Sequence, residues 1–311
     1  MRRSVCAALA LLTLVAATRT AGARTAGDPT PTLYRLNQGS TYEQGCFGPC
    51  LCPVLVDAPV KGTFELTPTG SDGLFNTYAV TDVNWVVPID GTDTIVSGSG
   101  TFRIGGEFAL QQQLSLDLQV GGGKAEHFDS GLVTGPAPFP NLKVTISMNG
   151  QTCFDTVFQL SASPVPRDQI RYYSLRPDST FQRGCFGACD CAIGQPERIA
   201  GTFALVPLEA TTRPREFAVV DVSWEVSDTS DTVPVSGFGT YKIVGQSAAE
   251  QELSLLLQVG DEEPLHFDSG LVPVGGNFPA IDIRISVSGA ICYDTVIDVH
   301  AQPHKRPHQL D

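Results

Sequence analysis

The chain reads as two tandem, homologous, antiparallel all-β domains of sandwich or barrel-like form, stapled by disulfides behind an N-terminal signal peptide. Three observations predict this class. The sequence falls on itself when shifted by 139 residues, apolar residues recur at every second position, and each copy carries cysteines as C-x3-C-x-C followed by one about 100 residues on.

The repeat comes first. Tyr34 meets Tyr173, Cys46 meets Cys185, Trp85 meets Trp224, His127 meets His266 and Cys153 meets Cys292. From Tyr34–Ala162 against Tyr173–Ala301, 54 of 129 ungapped pairs are identical. A unit of about 130 residues is long enough for its own core and too long for a solenoid repeat. The predicted division is a signal peptide at 1–23, a disordered N-terminal segment at 24–32, a first repeat at 33–162, a linker at 163–171, a second repeat at 172–302 and a disordered tail at 303–311. The linker "SPVPRDQIR" is short, and its two prolines favour a stiff, extended connection.

In chain order, the first element is the leader. Met1-Arg2-Arg3, an apolar run from Val5 to Ala17 and Ala21-Gly22-Ala23 supply the three parts of an export signal. The run falls short of the roughly 20 residues that a bilayer span needs. Strands are expected at Gly62–Leu66, Thr94–Ile104, Ala125–Asp129 and Thr152–Leu160. Between them, Leu114, Leu116, Leu118 and Val120 alternate with Ser115, Asp117 and Gln119, as Leu142, Val144, Ile146 and Met148 do in "LKVTISM". "YAVTDVNWVV" (Tyr78–Val87) is ambiguous alone. Its counterpart "FAVVDVSWEV" (Phe217–Val226) has Glu225 for Val86 and Val220 for Thr81, so Ala79, Thr81, Val83, Trp85 and Val87 are expected to face inward and Tyr78, Val80, Asp82, Asn84 and Val86 outward or toward a rim. "EFALQQQL" (Glu107–Leu114) tempts a helical turn. Glycine and proline punctuate the strands, as at "TPTGSDG", "PIDGTD" and "GPAPFP".

Charge narrows the function classes. The net charge is −13, and loss of the leader's arginines leaves about 16 basic against 33 acidic residues. Such a chain repels phosphate backbones and anionic membrane surfaces. The expected partner is an extracellular ligand or surface component, with no nucleic acid and no membrane span, and the expected location is secreted or periplasmic.

Eight cysteines remain after the leader: Cys46, Cys50, Cys52, Cys153, Cys185, Cys189, Cys191 and Cys292. An even number in an exported chain predicts disulfides. Cys50 and Cys52 are two apart on an extended chain, the least suitable pair. Of the two remaining schemes, Cys46–Cys50 with Cys52–Cys153 is favoured over Cys46–Cys52 with Cys50–Cys153, because Gly48-Pro49 turns the chain between the first two. The second copy follows as Cys185–Cys189 with Cys191–Cys292. The alternative use is a metal or redox site, but C-x-C is unusual for structural zinc, and a redox C-x-x-C opens a helix in a βαβ unit.

"HFDSGLV" (His127–Val133, His266–Val272) puts His, Asp and Ser within four residues. A catalytic relay needs its members to converge from separate parts of a fold. Consecutive residues at a strand end better suit hydrogen bonds that pin the following turn. His127, Asp129, His266 and Asp268 are therefore candidates for ligand or metal contact and not for catalysis. The shared carboxylates Asp82/Asp221, Asp129/Asp268 and Asp155/Asp294 are the other acid candidates. "SGSGT" (Ser97–Thr101) lacks the first glycine of a nucleophile elbow and reads as a strand beside a bulge. Trp85 and Trp224 lie on the apolar stripe and are expected in the core. The expected function is a non-catalytic binding or structural role outside the cytoplasm, with no cofactor and no resident metal. The rivals are a metal-binding or redox protein using the cysteines or His127/Asp129 and His266/Asp268, and a secreted hydrolase.

Overall fold

The computed structural model describes residues 30–135, 138–187, 189, 191–192, 194–209, 215–227, 232–245, 249–275 and 278–304. The leader at 1–23, most of the 24–32 segment and residues 305–311 of the tail lie outside the described residues. Among these residues the secondary structure is β-strand, apart from one 3-10 turn at Arg167–Gln169.

The first copy holds β1 (Thr32–Leu36), β2 (Thr41–Phe47), β3 (Val54–Pro59), β4 (Lys61–Ser71), β5 (Phe75–Ile89), β6 (Thr92–Gly105), β7 (Gln111–Val120), β8 (Glu126–Asp129), β9 (Val133–Thr134), β10 (Leu142–Ser147) and β11 (Cys153–Pro164). The tempting helix near Glu107–Leu114 is instead the lead-in to β7. Neighbours pair antiparallel in the order β1-β4-β5-β6-β7-β8-β10-β11, and β11 pairs back to β1 through Leu36↔Ala162. That last ladder closes an eight-stranded barrel. β2 and β3 continue from β11 as a flap, with β3 at the free edge.

The second copy holds β12 (Arg171–Leu175), β13 (Thr180–Phe186), β14 (Glu197–Pro207), β15 (Glu216–Ser227), β16 (Thr232–Val244), β17 (Glu250–Val259), β18 (Leu265–Asp268), β19 (Val272–Pro273), β20 (Ile281–Ser286) and β21 (Cys292–Pro303). The pairings β12–β14, β14–β15 and β12–β21 close its ring by the same route. An eight-stranded barrel has an interior just wide enough for side chains to fill. Here Trp85 packs on Phe64 and Phe158 in one barrel and Trp224 on Phe203 in the other. Leu114, Leu116 and Leu118 of β7 all point into the first core, as their alternation requires.

The facing of Tyr78–Val87 departs from strict alternation. Val80 is in the core with half-buried Tyr78 against it, and so are Val83, Trp85 and Val87. The register explains the change of phase. β5 advances from Val80 to Val83 while β6 advances only from Gly100 to Gly98, and the same extra residue appears against β4. This is a β-bulge, with Asp82 in the left-handed region at φ 51°. In β15 the bulge recurs at Asp221, φ 53°, so Phe217 and Val219 point inward where alternation alone would turn them out. The expectation for Ala79, Thr81, Tyr78 and Val80 was therefore inverted, because a one-residue insertion exchanges the faces of everything on one side of it.

The residues turned outward by the bulge are not all exposed. Ala204, Val206, Leu208, Ala218 and Val220 form a separate buried cluster with Val165, against half-buried Leu33, Ile170 and Tyr172. This is the seam between the barrels. The connection at 163–171 is part of it: Pro164 still belongs to β11, Val165 is buried, and Arg171 already starts β12. Polar contacts cross the seam as well. Arg35 donates to the Pro207 carbonyl at 2.9 Å, Asn84 Nδ2 donates to the Gly239 carbonyl at 3.0 Å and the Val219 carbonyl at 3.4 Å, and Lys61 pairs with Glu216 and Lys242 with Asp93.

All eight described cysteines are in disulfides, but the pairing is the scheme that the sequence disfavoured. Cys46 joins Cys52 and Cys50 joins Cys153; Cys185 joins Cys191 and Cys189 joins Cys292. The reason lies in the backbone of the cysteine loop. The Cys46 amide bonds the Pro53 carbonyl at 3.3 Å, and the Cys185 amide bonds the Ala192 carbonyl at 3.0 Å, folding the loop into a hairpin. Cys46 and Cys52 then face each other across it, and Cys50 is carried to its tip beside Cys153 on β11. The closed loops span sequence separations of 6 and 103. Chain entropy assigns about 2 kcal/mol to the short one and nearly 5 kcal/mol to the long one. Replacing Cys50 and Cys153 together with serine should thus cost about twice as much unfolding free energy as replacing Cys46 and Cys52. Urea denaturation of the two double variants measures this, and equal losses would contradict it.

Candidate functional site

The repeated "HFDSG" segments end β8 and β18 and turn the chain. Asp129 accepts from the Gly131 amide and from Gln113 Nε2, and the Ser130 hydroxyl accepts from the Leu114 amide while donating to the Gly131 carbonyl. Partial burial raises the Asp129 carboxyl, but the bonds from Gly131, Gln113 and Ser115 and the neighbouring charge of His127 outweigh it and hold the carboxyl below its usual range. In the second copy Asp268 accepts from the Gly270 amide, and Ser269 repeats both bonds of Ser130. The aspartate and serine of the motif are thus committed to the turn.

His127 is different. It lies opposite Asp117 on β7, and its Nδ1 stands 2.8 Å from Asp117 Oδ1 while its Nε2 stands 3.4 Å from Ser115 Oγ. This acid–imidazole–hydroxyl order was invisible in the motif itself, because Ser115 and Asp117 come from the neighbouring strand. It sits on the outer barrel face, where the side chains of His127 and Asp117 are 62% and 69% exposed. In the second copy His266 keeps the hydroxyl of Ser254 at 2.7 Å, but Leu256 occupies the position of Asp117.

Asp155 and Asp294 each serve a turn of their own barrel. Asp155 is buried and accepts backbone amides of Met148, Asn149, Gln151 and Thr156, tying the β10–β11 turn; Asp294 does the same through Ser288, Ala290 and Thr295. Neither meets His127. Asp155 lines a cavity of about 410 Å³ at the mouth of the first barrel with Tyr42, Phe128 and Phe154. Its oxygens are already taken by the turn. In the second copy Arg183 replaces Gln44 and Glu262 replaces Gly123, and the two join at 2.8 and 2.6 Å.

Asp82 and Asp221 do come together. The bulges place both on the wall of one cavity of about 300 Å³ between the barrels. Glu65 of β4, Asn84 of β5, and Ser236 and Gln258 of the second barrel line it too, and Leu33, Val220, Val222, Phe238, Leu256 and Pro264 supply apolar walls. Among the described residues no basic side chain lines it. Burial, then the charges of Asp82 and Asp221, push the Glu65 carboxyl from 4.5 up to about 7. Asn84 is 2% exposed, and its Oδ1 has no hydrogen-bond partner. The amide is not free to turn over, because its Nδ2 already serves two carbonyl groups.

Comparison of the two copies picked out Asp82 and Asp221. It passed over Glu65 and Asn84, whose counterparts are Ala204 and Ser223. Their only sequence signal is that they break the repeat. Among the described residues no group of three or more His, Cys, Asp or Glu side chains is placed to hold a metal ion, and the thiols are consumed in disulfides. No protein-family model, curated protein or solved structure matches this chain.

Glu65 should make stability depend on pH. Its folded value lies above its unfolded one, so its stabilising contribution is complete below pH 4.5 and is lost as pH rises through about 7. Glu65→Gln should therefore melt above the parent at pH 8 and level with it at pH 4, as read by thermal denaturation. In contrast, Asp117→Asn should change stability by less than about 0.5 kcal/mol, since the pair with His127 is solvated.

Proposed function

We propose that the protein is a non-catalytic binding protein of an oxidising compartment outside the cytoplasm, and that its ligand sits in the acidic cavity between the two barrels. The observation that carries this reading is the placement of Glu65, Asp82 and Asp221, drawn from both barrels, on one concave surface with apolar walls. Small-molecule sites favour junctions between domains and combine apolar walls with a few convergent polar groups. Disulfides in both copies suit an oxidising location, and no helix among the described residues is long and apolar enough to cross a membrane. A seam held by apolar packing, hydrogen bonds and ion pairs keeps the cavity walls at fixed separation.

The hydrolase reading has one observation in its favour, the order Asp117–His127–Ser115. It is the weaker reading because these side chains stand in water on an outer face, where a relay has no desolvated environment to strengthen it.

A panel of small cations, anions and neutral sugars, screened by thermal shift against the parent and Ser236→Trp, tests the binding reading. Ser236 is an exposed residue on the cavity rim, so an indole there fills the space without entering a core. At least one ligand class should raise the melting temperature of the parent and not of the variant. If no class distinguishes the two proteins, the cavity is not a binding site.

A further inference from the structure

The mouth of the first barrel holds a cavity of about 410 Å³, and among the described residues it shares no lining residue with the cavity between the barrels. The second barrel shows what such a mouth accommodates. Gln44 on β2 lies opposite Thr156 on β11, and Arg183 on β13 lies opposite Thr295 on β21, so the two side chains leave equivalent places. The Arg183 guanidinium sits over the Phe181 ring, 5.3 Å from its centroid, and donates to both Glu262 oxygens at 2.8 and 2.6 Å. Those bonds, then the charges of Glu262, Tyr293 and Glu197, raise it above its usual range against the opposing effect of burial. Phe181 and Tyr293 correspond to Tyr42 and Phe154, and both of these line the first cavity. At the places of Arg183 and Glu262 stand Gln44 and Gly123. The first mouth keeps the aromatic lining and lacks the guanidinium that rests on it.

We infer that the first barrel binds at its mouth the guanidinium group of an arginine from outside the chain, in the place that Arg183 fills in the second. A guanidinium is planar and weakly hydrated, so it stacks on aromatic faces and forks to a carboxylate better than an ammonium does. Tyr42 and Phe154 supply the faces. The carboxylate comes from a new position. Glu126 opens β8 on the cavity wall, where the second copy has Leu265. Asp155 adds negative charge, although backbone amides already occupy its oxygens. Lys124 is the basic side chain of the wall. An arginine bound as the free amino acid offers it a carboxylate, whereas an arginine within a polypeptide does not.

The second copy also supplies a variant that closes the site with parts this fold already accepts. Gln44→Arg/Gly123→Glu installs the pair of Arg183 and Glu262 in the first barrel. The receiving turn is the same in both copies: Gly123 donates to the Val120 carbonyl at 3.0 Å, and Glu262 to the Val259 carbonyl at 3.2 Å.

Isothermal titration of the parent, Gln44→Arg/Gly123→Glu, Glu126→Gln and Ser236→Trp tests the inference. Circular dichroism and melting establish that each variant is folded. The probes are L-arginine, N-acetyl-arginine amide, L-lysine and the neutral isostere L-citrulline. At least one of the two arginine probes should bind the parent and Ser236→Trp one to one, bind Glu126→Gln about tenfold more weakly, and leave Gln44→Arg/Gly123→Glu unbound. L-Lysine and L-citrulline should each bind the parent at least about tenfold more weakly than that probe. Tighter binding of the free amino acid assigns the site to free arginine, tighter binding of the blocked amide assigns it to an arginine of a polypeptide, and either supports the inference. No saturable binding of an arginine probe overturns it, as does equal binding of L-lysine or L-citrulline. Binding that survives Gln44→Arg/Gly123→Glu overturns it too, and if that binding is lost in Ser236→Trp the ligand belongs to the cavity between the barrels. Failure at this mouth leaves the reading of the interbarrel cavity standing.

Discussion

In β5 and β15 three residue steps face two on each neighbouring strand, and the surplus is absorbed where Asp82 and Asp221 take left-handed backbone angles. The rest of the molecule depends on this accommodation. Because side chains on a strand alternate, an added residue exchanges inside for outside beyond it. It puts Val80 and Trp85 in the same core although they are five apart, and it turns Ala218 and Val220 out to meet the other barrel. Gly98 and Gly100 of β6 instead let β7 approach closely, since an added Cβ would fall 2.1 Å from the carbonyl oxygens of Asp117 and Ser115 respectively.

The bulge also sets where charge accumulates. An aspartate at a strand interior is unfavourable for the sheet, yet both copies place one at the bulge, where the outward wall of each barrel approaches the other. The apolar seam and the acidic cavity are thus two results of one backbone device. Packing of Val165, Ala204, Val206 and Val220 brings the barrels together, and that approach concentrates the carboxylates of Glu65, Asp82 and Asp221. Hydrophobic association here works against the burial of a carboxyl and the repulsion of its like-charged neighbours, and both show in the raised Glu65 carboxyl.

The disulfides act at the other end of each barrel. The flap of β2 and the closing strand β11 are paired through seven residues, from Thr41↔Gln159 to Phe47↔Cys153, and the long disulfide ties the loop beyond β2 to the start of β11. It constrains the unfolded chain over most of the domain, whereas the short one holds the local hairpin in shape. The repeated use of both in the second copy means that each barrel is stapled independently.

Composition, the 139-residue shift and the period-two pattern determined the class of fold, the number of units and the role of the cysteines, since each depends on residues close in sequence or on simple counting. Trp85 and Trp224 were placed in the core because an apolar stripe leaves large side chains little choice. What tertiary structure decided was everything set by register. Which cysteine meets which followed from a backbone hydrogen bond that folds the loop. Which faces of β5 turn inward followed from a bulge, and bulges leave no periodic mark. The partners of His127 came from a neighbouring strand, and the acidic cavity joins Asp82 and Asp221 to Glu65, which the second copy replaces with Ala204. Sequence spacing carries alternation along one strand, but not the shift between two strands or the approach of two barrels, because those are fixed by contacts between residues far apart in the chain.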